Sequence, residues 1–236
     1  MKVLELFAGS RSIGTEAERQ GHRVCSIDVK PFEGINIVMD CEDITLKDLP
    51  FIPDMFWSGT PCTTYSLAAI SHHRNIDRTP KTDFAAKCDR MNINNLKLLK
   101  ELLEINPKLI WYIENPRAVL RKMDFMKGLP VKTITYCSYG DIANKPTDIF
   151  SNNHWNPLFN PQGWEAKPMC PRYKYDLEGN VINKHCHHEP AQSGSSTGTQ
   201  GKKDNYERSK YPELLCKEII EVTAKKISNS VQLEIT

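Results

Sequence analysis

A chain of 236 residues with 39% hydrophobic and 25% charged residues has room for one good-sized globular domain, or one domain with a small appendage. Its formal net charge of +2 permits a nucleic-acid partner without demanding one, and no apolar run is long enough to cross a bilayer. Met1–Phe7 is apolar for too short a distance, and Glu5 interrupts it, so it does not read as a secretory signal. The eight cysteines are then expected to be reduced thiols of a cytoplasmic protein, with catalysis or metal binding as their special uses.

Lys2 to Phe7 reads as a first strand running into Ala8-Gly9-Ser10-Arg11-Ser12-Ile13-Gly14 and a helix from Thr15 to Gln20. A second strand, Arg23 to Asp28, ends in an acid. Strand, small-residue loop, helix, strand and acid in that order describe a nucleotide-type pocket, or else a tight turn of any α/β protein. In the first reading glycine lets the backbone approach a ligand, and the acid accepts hydrogen bonds from ribose hydroxyls. Ile35 to Met39 makes a third strand before the acidic loop Asp40-Cys41-Glu42-Asp43-Ile44, and Leu46 to Leu49 is helix-like.

Asp54-Met55-Phe56-Trp57 is a buried strand, followed at once by Ser58-Gly59-Thr60-Pro61-Cys62. A cysteine on the turn where a parallel strand ends is either a small buried hydrophobe or a nucleophile. The stretch 68–82, with His72, His73, Arg74, Arg78 and Lys81, reads as a solvated basic surface or a lid over phosphates. Leu96, Leu99, Leu102 and Leu103 recur at helical spacing within Phe84 to Ile105 and belong to the core.

Leu109 to Ile113 is a further buried strand that delivers Glu114-Asn115-Pro116 to the same sheet edge; Asn115 would also serve as the cap of a following helix. Val131 to Cys137 reads as a sixth strand and Lys145 to Phe150 as an edge strand. Periodicity fades after Ser151 and returns in a helix from Pro212 to Ile227, with Leu214, Leu215, Ile219 and Ile220 on one face.

Leu6-Phe7-Ala8-Gly9, Asp43-Ile44, Gly59-Thr60-Pro61-Cys62 and Glu114-Asn115 stand in the order and approximate spacing of the DNA cytosine-5 methyltransferases, and over about the first 150 residues the chain resembles a compact, phage-like member of that family. The resemblance implies an α/β fold, a doubly wound, mostly parallel sheet of the S-adenosylmethionine-dependent methyltransferase type, with a small loop-rich recognition insertion. It implies S-adenosylmethionine as methyl donor and a flipped-out cytosine of double-stranded DNA as acceptor. Phe7, Ala8 and Gly9 would line the donor pocket together with Pro61; Asp28 would hold the ribose, and Asp43 and Ile44 the adenine. Cys62 would add to C6 of cytosine, Glu114 would bind the N3/N4 edge of the base, and Asn115 would help to place that loop.

Residues 1–150 are then the catalytic and cofactor-binding domain, 151–205 a target-recognition insertion, and 206–236 a helix and tail that complete the catalytic domain. A monomer is favoured, restriction–modification is the expected setting, and no membrane is involved. Action on RNA or a nucleotide, or a relative that binds nucleic acid without catalysis, are the alternatives.

Three departures bear on these expectations. Arg11 stands in the donor loop where further glycine is usual, and Pro116 replaces a commoner valine. The family's Gln-x-Arg-x-Arg strand is missing, with Thr135-Tyr136-Cys137-Ser138-Tyr139 in about its place, so that Lys145 or Arg172 would have to grip the base. Cys170 with His185, Cys186, His187 and His188 offers a zinc site of non-standard spacing or a set of surface histidines. Arg172, Lys174, Lys184, Lys202, Lys203, Arg208 and Lys210 are candidate phosphate contacts.

Overall fold

The computed structural model describes residues 1–141, 143–170, 174–175, 181–183 and 205–232. Its sheet consists of β1 (Lys2–Leu6), β2 (Arg23–Asp28), β3 (Ile37–Val38), β4 (Met55–Gly59), β5 (Ile110–Pro116), β6 (Val131–Thr135) and β7 (Pro146–Ser151). They lie in the order β3-β2-β1-β4-β5-β7-β6. β1 to β5 pair in parallel, and β7 runs antiparallel to both β5 and β6. The order reverses between β1 and β4, so the carboxyl ends of these two strands diverge there and open a crevice. β8 (Lys174–Tyr175) and β9 (Val181–Asn183) form a separate two-stranded ribbon.

Alternation along the central strands assigns each side chain to a layer. Leu4, Leu6, Phe56, Trp111 and Ile113 point to one face, where α3 (Asp83–Ile105) covers them with Leu98, Leu99 and Leu102. Val3, Met55, Trp57, Ile110 and Tyr112 point to the other, packed with α1 (Ser12–Arg19) and α5 (Glu213–Gln232) through Ile13, Ala17, Leu215, Ile219 and Ile220. Thr82 caps α3 by accepting a hydrogen bond from the Ala85 N–H at 3.2 Å. Two short helices, α2 (Ile70–His73) and α4 (Asn205–Ser209), complete the chain.

Several elements differ from their sequence-based expectation. The segment expected as an edge strand from Lys145 is β7, inserted between β5 and β6, because Thr147–Ser151 is buried and pairs on both sides. β6 is the edge and ends at Thr135; Tyr136–Tyr139 turn into a 3-10 helix closed by Gly140 at φ +89°. No α-helix starts at Asn115: β5 runs on through Pro116 and is followed by 3-10 turns. Leu214 leaves its expected face and is exposed.

The stretch expected to begin the recognition insertion is built into the body of the domain. Trp164 is 1% exposed, and its indole N–H donates to Glu218 of α5 at 2.8 Å. Asn153 and Asn160 each accept from Lys226 Nζ at 2.8 Å, and the Cys170 N–H returns to Thr135 Oγ1 at 2.9 Å. No helix among the described residues is long and apolar enough to cross a membrane.

Candidate functional site

Phe7, Ala8 and Gly9 after β1, Asp28 at the end of β2, Pro61 and Cys62 after β4, and Glu114 and Asn115 at the end of β5 all lie at the carboxyl edge of the parallel strands. β4 and β5 are adjacent and in register, with Gly59 opposite Glu114. Beyond Gly59 the chain makes Thr60-Pro61-Cys62 and a 3-10 turn, Thr63–Tyr65. Cys62 is the exposed one among the described cysteines; Cys25, Cys41, Cys88 and Cys216 are buried, and Cys137 and Cys170 lie between. Burial pushes the Cys25 thiol up to about 11 and that of Cys41 to about 12, so these buried thiols stay protonated and inert.

Asn115 is 1% exposed and faces back across the strand gap. Its amide donates to the Thr60 carbonyl at 3.0 Å and to the Thr60 hydroxyl at 3.1 Å, which fixes the entry to the Cys62 turn. The exit is fixed by Arg74, whose guanidinium donates to the Thr64 carbonyl at 2.9 Å, to Asp89 at 2.7 Å, and lies 4.2 Å above the Tyr65 ring. Arg74, read from the sequence as part of a basic loop, is therefore a buried strut of the cysteine turn, whereas His72, Arg78 and Lys81 of that loop are exposed. A run of polar residues gives no hint of which one turns inward.

Glu114 is 4% exposed, and burial pushes its carboxyl above the usual range. The Lys145 charge and the phenols of Tyr136 and Tyr211 beside it oppose that shift, and Asp148 adds to it. The Tyr136 hydroxyl donates to Glu114 Oε1 at 3.2 Å and accepts from Lys145 Nζ at 3.3 Å. Lys145, one of the two cations expected at the base site, thus reaches Glu114 through a phenol. Arg172, the other, lies outside the described residues. The tyrosines were not singled out in the sequence; the position of Tyr136 just past β6 was the available signal, and Tyr211 offered none.

The crevice beside β1 is shaped by an unusual backbone. Phe7 at φ +53°, Gly9 at φ +51° and Arg11 at φ +56° alternate with ordinary residues, and for Phe7 and Arg11 that region is disfavoured, as at strained ligand-binding turns. The Asp28 carboxylate accepts from the Gly9 N–H and the Lys30 N–H, each at 2.9 Å, one on each oxygen. Each oxygen keeps a lone pair for a further donor such as a ribose hydroxyl.

Arg11 turns away from this crevice: its guanidinium bonds Ser26 at 3.0 Å and Glu18 at 2.6 Å and packs on Gly34, where a Cβ would lie 2.3 Å from it. This is why an arginine is tolerated in the loop. Ala8 and Ile44 are buried, Pro61 half-buried and Asp43 exposed; Asn94 of α3 holds the 41–44 loop by donating to the carbonyls of Cys41 and Ile44. A carboxylate with spare lone pairs, a glycine approach and a phenylalanine at the rim suit an adenosine-bearing ligand of the S-adenosylmethionine type.

Of the zinc candidates only Cys170 is described, and no group of three or more ligating side chains occurs among the described residues. Arg172, Lys184, Lys202 and Lys203 fall outside them, as do the side chains of Lys174 and Arg208.

No family model and no curated protein sequence matches the chain. Solved structures do. A methyltransferase of Entamoeba histolytica, EhMeth, is 13% identical with a TM-score of 0.56, the match covering 96% of this chain and 98% of that one. A DNA modification methyltransferase encoded within an E. coli prophage (13% identity, TM-score 0.45) and the Dnmt2 methyltransferase of S. pombe (15%, 0.42) each match 64% of this chain. The chain spans about half the length of these last two, 46% and 48% being covered. The protein has the S-adenosylmethionine-dependent methyltransferase fold, and the likeness read from its motifs is met by the structure at the level of the fold.

Proposed function

We propose that this protein transfers a methyl group from S-adenosylmethionine to C5 of cytosine in double-stranded DNA. The observation that carries the reading is the placing of an exposed thiol, Cys62, and a buried carboxyl, Glu114, at the ends of the adjacent strands β4 and β5, beside the switch of the sheet.

C5 of cytosine is a poor nucleophile. Addition of a thiolate at C6 makes C5 enamine-like and divides one hard step into easier ones. Cys62 stands on a turn held at both ends, by Asn115 on Thr60 and by Arg74 on Thr64, which suits repeated attack from one direction. Burial favours the protonated form of Glu114, the form that donates to N3 of the base and offsets the charge developing there. Phe7, Gly9, Asp28 and the 41–44 loop would hold the donor, which supplies an electrophilic methyl group when bound. The proton on C5 must leave before Cys62 is released, and an ordered water serves that role as well as a side chain.

Competition among duplex DNA, RNA and free cytidine nucleotides for labelled methyl transfer tests the reading. Duplex DNA should take the label, and Cys62→Ala should abolish it. Label on RNA alone would move the reading to an RNA enzyme, and donor binding without transfer to any of them would mark a binding protein.

A further inference from the structure

Four ionisable groups act on Glu114: Tyr136 just past β6, Lys145 before β7, Asp148 within β7 and Tyr211 before α5. Asp148 is satisfied elsewhere, by Thr133 at 2.7 Å and Arg121 at 3.3 Å. Tyr136 bonds the carboxyl, Lys145 bonds Tyr136, and the Tyr211 hydroxyl lies over Gly59, the residue opposite Glu114 in the sheet. We propose that Tyr136 and Tyr211 are positioning residues for Glu114: one phenol bonds the buried carboxyl, the other stands over Gly59 on the neighbouring strand, and together they fix the direction in which it faces.

Donor counting makes Tyr136 directional. A phenol has one proton, and the ammonium of Lys145 can only donate, so the Tyr136 oxygen receives from Lys145 and its own proton goes to Glu114 Oε1. The ammonium also lies 4.4 Å from the centre of the Tyr136 ring, so the lysine steadies both the hydroxyl and the ring.

Tyr211 is built in from the opposite side. Its N–H donates to Ser12 Oγ at 3.1 Å, next to the Ser10 N–H that donates to Ser209 at 3.2 Å, so this segment is stitched to the donor loop. Its ring meets Trp57 edge-on at 5.3 Å. The hydroxyl passes directly over Gly59, where a Cβ would lie 2.1 Å from it, so glycine at that position clears the path to Glu114. The groups facing the Tyr211 hydroxyl are Glu114 and Trp57, with Glu5 and Cys216 as further ionisable neighbours. A carboxyl bonded by one phenol and flanked by a second has a fixed orientation before any base arrives, which is what a hydrogen bond to N3 requires.

The role in base binding rests on the proposed function; the control of the carboxyl does not, and the test separates them. Protein carrying carboxyl-labelled glutamate is titrated by carbon NMR, with Glu114→Gln assigning the resonance. Tyr136 donates to the carboxyl and Tyr211 is assigned the same role; both favour the ionised form, so Tyr136→Phe and Tyr211→Phe should each shift the Glu114 midpoint upward, as should Lys145→Met with both phenols intact. An unchanged midpoint in either tyrosine variant, with the amide spectrum of the wild type, overturns the assignment for that residue.

In methyl-transfer assays Tyr136→Phe should lower kcat by about tenfold, leave KM for the donor unchanged and move the alkaline limb of the pH profile upward. A structural role alone would lower the melting temperature and leave that limb in place. A titration that behaves as stated in a protein that methylates nothing would keep this inference and refute the proposed function.

Discussion

The Asn115 amide grips Thr60 twice, at 3.0 Å on the carbonyl and 3.1 Å on the hydroxyl, joining the strand that ends in Glu114 to the turn that carries Cys62. The two halves of the candidate site are therefore one hydrogen-bonded unit rather than two loops that happen to be close.

Asn115→Ala should consequently damage activity more than stability. It leaves the Thr60 carbonyl without its buried donor, at about 1–3 kcal/mol. With the cysteine turn loosened, kcat should fall about a hundredfold while donor affinity, measured by calorimetry, stays within about twofold. A loss of donor affinity as large as the loss of kcat would mean that Asn115 serves the donor loop instead.

Glu5 predicts a pH dependence of stability. In the sequence it merely interrupts an apolar run; in the fold it is fully buried, accepts from Ser26 at 2.8 Å, and has its carboxyl pushed up to about 7, chiefly by desolvation. A carboxyl that holds its proton more tightly folded than unfolded stabilises the fold below its unfolded pKa. That stability is lost as pH rises from about 4.5 to about 7. The loss amounts to ~3 kcal/mol at most. Urea unfolding of the wild type should show this fall between pH 4.5 and 8, and Glu5→Gln should flatten it. A Glu5→Gln curve parallel to the wild type would show that Glu5 is not the group responsible.

Trp164 lies in the stretch whose composition suggested a recognition insertion, yet it is wedged between the sheet and α5. Trp164→Ala removes a buried indole and strips Glu218 of a donor, a change of about 3–5 kcal/mol for the cavity alone. In a domain of this size that corresponds to a fall in Tm of about 10 °C. A Tm within about 2 °C of the wild type in Trp164→Ala would show that this stretch is not part of the structural body.

What could be read from the sequence was what local pattern controls. The strands that deliver Asp28, Cys62 and Glu114 announce themselves because a buried apolar run gives way abruptly to polar residues, and parallel sheets present such stops along one edge. The exchange of β6 and β7 was invisible, since pairing partners are chosen by the whole sheet and not by either strand. Tyr211 was invisible for a related reason: it belongs to the far end of the chain and meets Glu114 only because α5 packs beside β4. Arg74 read as part of a solvated basic loop and Arg11 as a misfit in the donor loop, and only tertiary partners, Asp89 for one and Ser26 with Glu18 for the other, explain where each side chain goes.

The central claim is that Cys62 attacks a cytosine. The most direct test is to incubate the protein with S-adenosylmethionine and duplex DNA in which cytosine is replaced by 5-fluorocytosine, whose fluorine cannot leave as the C5 proton does, and to measure the intact mass. The account predicts a covalent protein–DNA species that maps to the peptide containing Cys62 and disappears in Cys62→Ala. A wild-type protein that binds donor and DNA yet forms no such species, or forms it equally with alanine at position 62, would contradict the account.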